Sequence, residues 1–169
     1  MNIPALPYTV RPLTSTDEPF LWEMLYLAIY VPEGTPPPSR DILKLPEIAK
    51  YVQHWGRSDD AGLIAIDAET RNPIGAVWLR QFLENDKGYG YVADDIPELS
   101  IAVLPKYRGK GLGTRLLGDL ITAMTPKSRP ISLSVDATNP AVVLYKRFGF
   151  ETVGINGTSL TMLRFSTNA

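Results

Sequence analysis

The chain has 169 residues, 44% of them hydrophobic, with no cysteine, one histidine and a formal net charge of −1. That is enough apolar material for one sizeable core, so a single domain over residues 1–169 is expected, and the charge balance offers no bulk attraction to nucleic acid or to an anionic membrane. Without cysteine there are no disulfide frameworks, thiolate nucleophiles or thiolate zinc sites, and the lone His54 cannot form a histidine cluster, so no metal site is expected.

The opening MNIPALPYTV lacks a basic region followed by an apolar one. The longest apolar stretch, residues 20–31, is too short to span a bilayer, and a cytoplasmic protein is expected. Residues 8–11 read as a short first strand ended by Pro12. TSTDEPFLWEMLYLAIY starts with capping residues and first-turn acids before apolar residues at helical spacing, which predicts a helix over about 16–30. The prolines of VPEGTPPPSR make a stiff loop. Pro46 and Gly56 frame a second helix, PEIAKYVQHW. GLIAID and IGAVWLRQF, separated by AETRNP, read as an antiparallel hairpin. A polar loop over 83–96 leads into the strand ELSIAV, then a glycine-rich loop, a helix to about residue 124 and the strand ISLSV. Asn139 caps a further helix with Pro140 at its first position and Gly149 after its end, and two closing strands flank the turn at Asn156-Gly157.

The glycine loop, SIAVLPKYRGKGLGTRLL, matches neither common phosphate cradle. A Walker loop needs a glycine five positions before Gly109 and Ser or Thr after Lys110, but Leu104 and Gly111 stand there. A dinucleotide fingerprint needs a third glycine where Thr114 or Leu116 stands. The physics shared by both still holds: glycines let backbone N–H groups face an anion closely, and the following helix adds its positive end. Spacing alone leaves two readings open, a phosphate-bearing ligand or a glycine-rich turn with solvated basic side chains.

Arg108, Gly111 and Gly113, directly after a strand and opening a helix, resemble the [Q/R]-x-x-G-x-[G/A] signature of the GNAT N-acetyltransferase superfamily. NPAVVLYKRFGF resembles that family's second segment, an asparagine-started helix with a tyrosine followed by Gly-Phe. The resemblance spans nearly the whole chain. It implies an α/β (α+β) fold, a central mixed, mostly antiparallel twisted sheet of about seven strands with about four helices on both faces, in the order β-α-α-β-β-β-α-β-α-β-β. It also implies acetyl-CoA as donor, with the pyrophosphate on backbone N–H groups of Arg108, Gly109, Lys110, Gly111, Leu112, Gly113 and Thr114. The strands ELSIAV and ISLSV would splay into a V-shaped cleft, where Ile101, Ala102 and Val103 meet the pantetheine arm through Ile101 and Val103 backbone groups. Asn139 and Tyr145 would also contact the cofactor.

Acetyl transfer from sulfur to an amine requires removing a proton from an ammonium, stabilising an oxyanion and protonating the leaving thiolate. With no cysteine, direct transfer is favoured over an acyl-enzyme. Glu98 resembles the family's glutamate that serves as general base. By strand alternation it shares a face with Ser100 and Ala102, opposite Leu99, Ile101 and Val103. A solvated carboxylate at a strand start is the plain alternative, and Asp94, Asp95 or His54 remain alternative bases. Tyr145 shares a helix face with Ala141, Leu144 and Phe148, so its ring is anchored, and the family places this phenol as general acid at the sulfur. A core tyrosine is the plain alternative there. Glu84, Asp86, Asp94, Asp95 and Glu98 with Tyr89 and Tyr91 form an acidic stretch suited to a cationic amine or simply to solvent. Trp22, Tyr26, Tyr30, Tyr51 and Trp55 fall where the family builds part of its acceptor site, most of them expected in the core. The expected partner is a small-molecule amine or a peptide or protein amine, with a homodimer allowed. The other-class reading is a non-catalytic acyl-CoA-binding or regulatory module on the same fold.

Overall fold

The structure, a computed structural model, describes residues 7–124 and 129–165; the expectation for the first six residues lies outside them. Seven strands, β1 (Tyr8–Pro12), β2 (Ala61–Asp67), β3 (Pro73–Arg80), β4 (Glu98–Val103), β5 (Ile131–Asp136), β6 (Phe150–Asn156) and β7 (Ser159–Arg164), form one sheet in the order β1-β2-β3-β4-β5-β7-β6. Four α-helices accompany them among the described residues: α1 (Glu18–Ala28), α2 (Pro46–Ala49), α3 (Leu112–Met124) and α4 (Ala141–Arg147). Every neighbouring pair is antiparallel except β4 and β5, which α3 connects. Both the element order and the mixed sheet match the expected fold.

Each sheet face carries its own core, and strand alternation assigns residues to them. Val77, Leu79 and Leu99 point to α3 and α4, meeting Leu116, Leu117, Leu120 and Tyr145. Ala76, Trp78 and Ala102 point the other way, to Leu21, Met24 and Leu25 of α1 and to Tyr51, Val52 and Trp55. Covered on both sides, β3 is buried from Ile74 to Arg80, which is why its sequence reads as a nearly unbroken apolar run. Leu116 and Leu117 are fully buried; truncating either to Ala would cost about 2–5 kcal/mol.

The first two helices are shorter than the sequence pattern predicts, for identifiable reasons. Pro19 has no N–H to continue the hydrogen-bond ladder, so Ser15–Asp17 forms a separate 3-10 turn ahead of α1. Thr14 N–H donates to Asp17 there at 2.8 Å, and Arg11 grips the same carboxylate. After Ala49 the chain leaves the α-helix because buried donors on β3 take the carbonyls: Trp78 Nε1 donates to Tyr51 O at 3.0 Å, and Arg80 Nη1 to Lys50 O and Gln53 O at 2.9 and 2.6 Å. The turn closes with His54 at φ 60 and Gly56 at φ 113. None of the helices among the described residues is long and apolar enough to cross a membrane.

Candidate active site

The site begins at a gap in the sheet. β3 and β4 pair along six positions, from Gly75↔Val103 to Arg80↔Glu98, and β5 pairs β7 along another six. Between β4 and β5 only Glu98↔Ser132 is in register, so the strands part beyond Glu98 and leave a V with that residue at its vertex. Leu104 N–H donates back to Ile74 O on β3 at 2.9 Å. Backbone groups alternate sides along a strand, so Val103 and Ile101 turn theirs toward the open gap. Consistent with this, Val103 O accepts from Arg108 Nε at 3.2 Å on that side. Ala102 faces the α1 core instead and offers the gap no side chain.

A cavity of about 330 Å³ occupies the V, lined by Glu98, Ser100 and Ile101 of β4, Ser134, Val135 and Asp136 of β5, Asn139, and Tyr145 of α4. Leu25, Ile29, Tyr30, Ile48, Tyr51 and Tyr89 line it as well. Both candidate catalytic residues thus open into one space. His54, Asp94 and Asp95 do not line it: His54 is exposed in its turn, and Asp94 is engaged by Tyr91 and by the N–H of Glu84.

Glu98 is 3% exposed, so the solvated-carboxylate alternative does not describe it. Its Oε1 accepts the N–H of Gly90, while Oε2 has no partner of hydrogen-bond geometry among the described residues. Burial disfavours the charged form and raises its pKa from 4.5 to about 7, against smaller opposing effects of the nearby Tyr51 phenol, the Gly90 N–H and Lys50. A carboxyl titrating there is matched to taking a proton near neutral pH.

Tyr145 is 8% exposed, edge-on to Phe150 at 5.9 Å between ring centroids, and packed with Ala141, Leu144 and Phe148 as its helical spacing predicts. Burial pushes its phenol up to about 12, keeping the proton on the oxygen through neutral pH. Asn139 Oδ1 accepts the N–H of Ala141 at 2.9 Å and so fixes the entry to α4 at the cavity rim.

Beyond β4 the chain makes a 3-10 turn, Pro105–Tyr107, whose buried Tyr107 donates its hydroxyl to Asp67 at 2.7 Å and ties the following loop to the end of β2. Arg108, Gly109, Lys110, Gly111 and Thr114 are exposed, and Leu112, the first residue of α3, is buried. Gly109 and Gly111 adopt φ 74 and 84, a conformation that favours glycine, and a Cβ on either of these or on Gly113 would meet nothing within 4 Å. The loop is therefore bare and open, with the N-terminus of the 13-residue α3 beneath it and two cations beside it. An anionic group of pyrophosphate size fits this cradle on steric and electrostatic grounds.

Sequence reasoning missed the roof over Glu98. Gly88 and Gly90 flank Tyr89 so closely against the carboxylate that a Cβ on either would collide with its oxygens. The doublet of glycines around one tyrosine was the available signal. Tyr51, expected in the second helix, stands instead in the turn after it, with its hydroxyl accepting the N–H of Tyr89 at 2.7 Å. Tyr30 reaches the cavity as well and donates to Thr138 O at 3.2 Å, whereas Trp55 is core, and Tyr26 holds the proline loop through Pro38 O at 2.7 Å.

Known proteins resemble this chain in sequence or in fold. The [ribosomal protein bS18]-alanine N-acetyltransferase of Haemophilus influenzae is 36% identical over 81 residues, 44% of this chain and 56% of that protein. The chain spans about half the length of the curated relatives it matches. The PaiA N-acetyltransferase of Thermoplasma acidophilum, solved in complex with coenzyme A, superposes with a TM-score of 0.62 at 20% identity, covering 94% of this chain and 99% of that one. A chimera of the Vibrio cholerae spermidine N-acetyltransferase SpeG superposes with a TM-score of 0.59 at 27% identity over 94% and 95% of the two chains. The sequence model of the acetyltransferase (GNAT) family matches residues 22–150, and the chain belongs to that family.

Proposed function

We propose that this protein is an N-acetyltransferase that moves an acetyl group from acetyl-CoA directly to a primary amine. The observation that carries this reading is the placing of a buried carboxyl with a pKa near 7 at the vertex of a strand gap, in the same cavity as a buried phenol. Acetyl-CoA supplies an activated thioester. Its pyrophosphate would lie against the backbone of residues 108–114, its pantetheine arm along the gap-facing backbone of Ile101 and Val103, with Ala102 between them and Asn139 at the rim.

Glu98 takes a proton from the incoming ammonium, freeing the nitrogen lone pair. Tyr145 Oη gives a proton to the sulfur as the N–C bond forms and the C–S bond breaks, and regains one from the second proton that the nitrogen sheds on becoming an amide. The apolar and aromatic lining from Leu25, Ile29, Ile48, Tyr30, Tyr51 and Tyr89 excludes water from the base and receives the acceptor's substituent. The relatives named above act, by their names, on the alanine of a ribosomal protein and on spermidine, so both peptide amines and small-molecule amines belong in an acceptor screen.

The test has two parts. Acetyl-CoA at about a hundred times its Kd should stabilise the protein by roughly 2.7 kcal/mol, read as a rise in Tm. Gly111→Glu, which places a side chain and a negative charge in the cradle, should fold and lose that shift. Release of free CoA thiol with a panel of amines should then identify the acceptor. An undiminished shift in folded Gly111→Glu rules out the cradle, and acetyl-CoA binding without transfer to any amine favours the non-catalytic module.

A further inference from the structure

Tyr51 is fixed more firmly than a core tyrosine requires. Its own carbonyl accepts from Trp78, the carbonyls of Lys50 and Gln53 accept from Arg80, and its ring lies between Phe82 at 4.9 Å and Tyr89 at 6.4 Å, the latter stacked at 10°. Tyr51 lines the cavity, and its hydroxyl lies against the Gly88–Tyr89 backbone. That oxygen already accepts the Tyr89 N–H, so the hydroxyl's remaining capacity includes its own proton. Beside it stands Glu98 Oε2, buried and without a partner among the described residues; Gly88, whose Cβ would collide with both oxygens, marks how closely the two groups share one spot.

The other groups facing Glu98 are committed elsewhere or carry no charge. Arg80, its register partner on β3, binds Asp60 at 2.8 Å and the two carbonyls. Lys50 binds Asp86 at 3.0 Å and the carbonyl of Lys87. Tyr89 directs its ring against Tyr51, and Gly90 supplies only its N–H to Oε1. Ser132, in register on β5, contributes a buried hydroxyl without a partner among the described residues.

Resting on the assignment of Glu98 as base, we propose that Tyr51 is its positioning residue: the phenol turns its proton to Oε2 and holds the carboxylate charged, oriented and ready to receive a proton from the acceptor amine. Each carboxylate oxygen retains a second lone pair for that proton. Tyr51 itself stays protonated, because burial and the neighbouring carboxylate drive its pKa upward. Its action on the charge of Glu98 opposes desolvation, so removing the hydroxyl leaves desolvation less opposed and shifts the carboxyl further toward its neutral form.

Carboxyl 13C NMR on glutamate-labelled protein, with the Glu98 resonance assigned from its loss in Glu98→Gln, reads this without any turnover. In Tyr51→Phe the Glu98 titration midpoint should rise by about one pH unit or more, the scale of one hydrogen bond to a charged group. The acid limb of kcat/KM should move by the same amount, giving about a tenfold loss below the limb that disappears well above it. A merely structural role lowers the rate equally at every pH. If Tyr51→Phe folds poorly, 3-fluorotyrosine at position 51 carries the reverse expectation, since a stronger donor lowers the midpoint. A midpoint unmoved in both, or a larger rise in Ser132→Ala, overturns the proposal. A midpoint that moves while kcat/KM does not follow it leaves Tyr51 paired with Glu98 but removes Glu98 as base.

Discussion

The two ends of β4 use glycine for opposite purposes. Past Val103, Gly109, Gly111 and Gly113 have nothing within 4 Å of where a Cβ would stand, and space is what they provide. At Glu98, Gly88 and Gly90 have no space at all: the carboxylate oxygens, the Tyr51 hydroxyl and the β5 backbone already fill it. An open end suits a ligand that arrives with its own charge and must be met by backbone N–H groups. A closed end suits a group whose protonation must be set by burial rather than by water. One strand thus joins the proposed cofactor cradle to the proposed proton acceptor, in environments of opposite polarity, exposed and cationic at one end, desolvated at the other.

The largest effect expected from breaking this contrast comes from filling the closed end. In Gly90→Ala the new methyl meets Glu98 Oε1 and the backbone of Leu133 and Ser134; the backbone cannot rotate away, so the carboxylate has to shift. Overpacking should cost about 1–3 kcal/mol, visible as a lower Tm, and displacement of the base should reduce turnover by roughly a hundredfold or more. Wild-type turnover in Gly90→Ala would show that the close packing around Glu98 is incidental.

Between the ends stands Tyr145. Tyr145→Phe keeps the packing against Phe150 and deletes the proton, so kcat should fall on the order of a hundredfold while acetyl-CoA affinity stays near wild type. Titrating the acetyl-CoA-induced Tm shift alongside steady-state rates separates the two effects. Preserved turnover with weakened binding would make the phenol a binding group.

The smallest effect should come from the open end. Gly113→Ala introduces a methyl that meets nothing, at a helical position without positive φ. The variant should gain about 0.5–1 kcal/mol from helix propensity and keep its acetyl-CoA shift. A lost shift would show that bareness at this position is required by the ligand itself.

The same contrast explains what the sequence made legible. Gly109, Gly111 and Gly113 lie within one short loop between a strand and a helix, so their spacing displays their purpose. The strand alternation that puts Glu98, Ser100 and Ala102 on one face, and the helical stripe around Tyr145, are likewise local periodicities that the fold preserves. Burial of Glu98 is not local. It depends on a loop eight residues upstream folding back over the strand, on Tyr51 arriving from another element, and on β5 parting after one register pair. Composition made the 83–96 segment look like a solvated acidic loop. Asp94 and Asp95 fit that description, being exposed, whereas Glu98, two residues beyond the segment, is sealed by it. The truncated second helix has a similar origin: its periodicity is helical, but buried donors of β3, 27 to 30 residues further along the chain, claim the carbonyls of Lys50, Tyr51 and Gln53.

The central claim is that Glu98 accepts the acceptor's proton from a buried site titrating near 7. The most direct measurement is the pH profile of kcat/KM for wild type and Glu98→Gln with the best amine from the screen. A base works in its deprotonated form, so the wild-type value should climb about tenfold per pH unit below 7 and bend near 7. Glu98→Gln cannot take the proton, so it should lack that bend. Its deficit, a hundredfold or more at neutral pH, should narrow as rising pH delivers more of the amine already neutral. Parallel profiles for the two proteins, offset by a constant factor or not at all, would contradict the account.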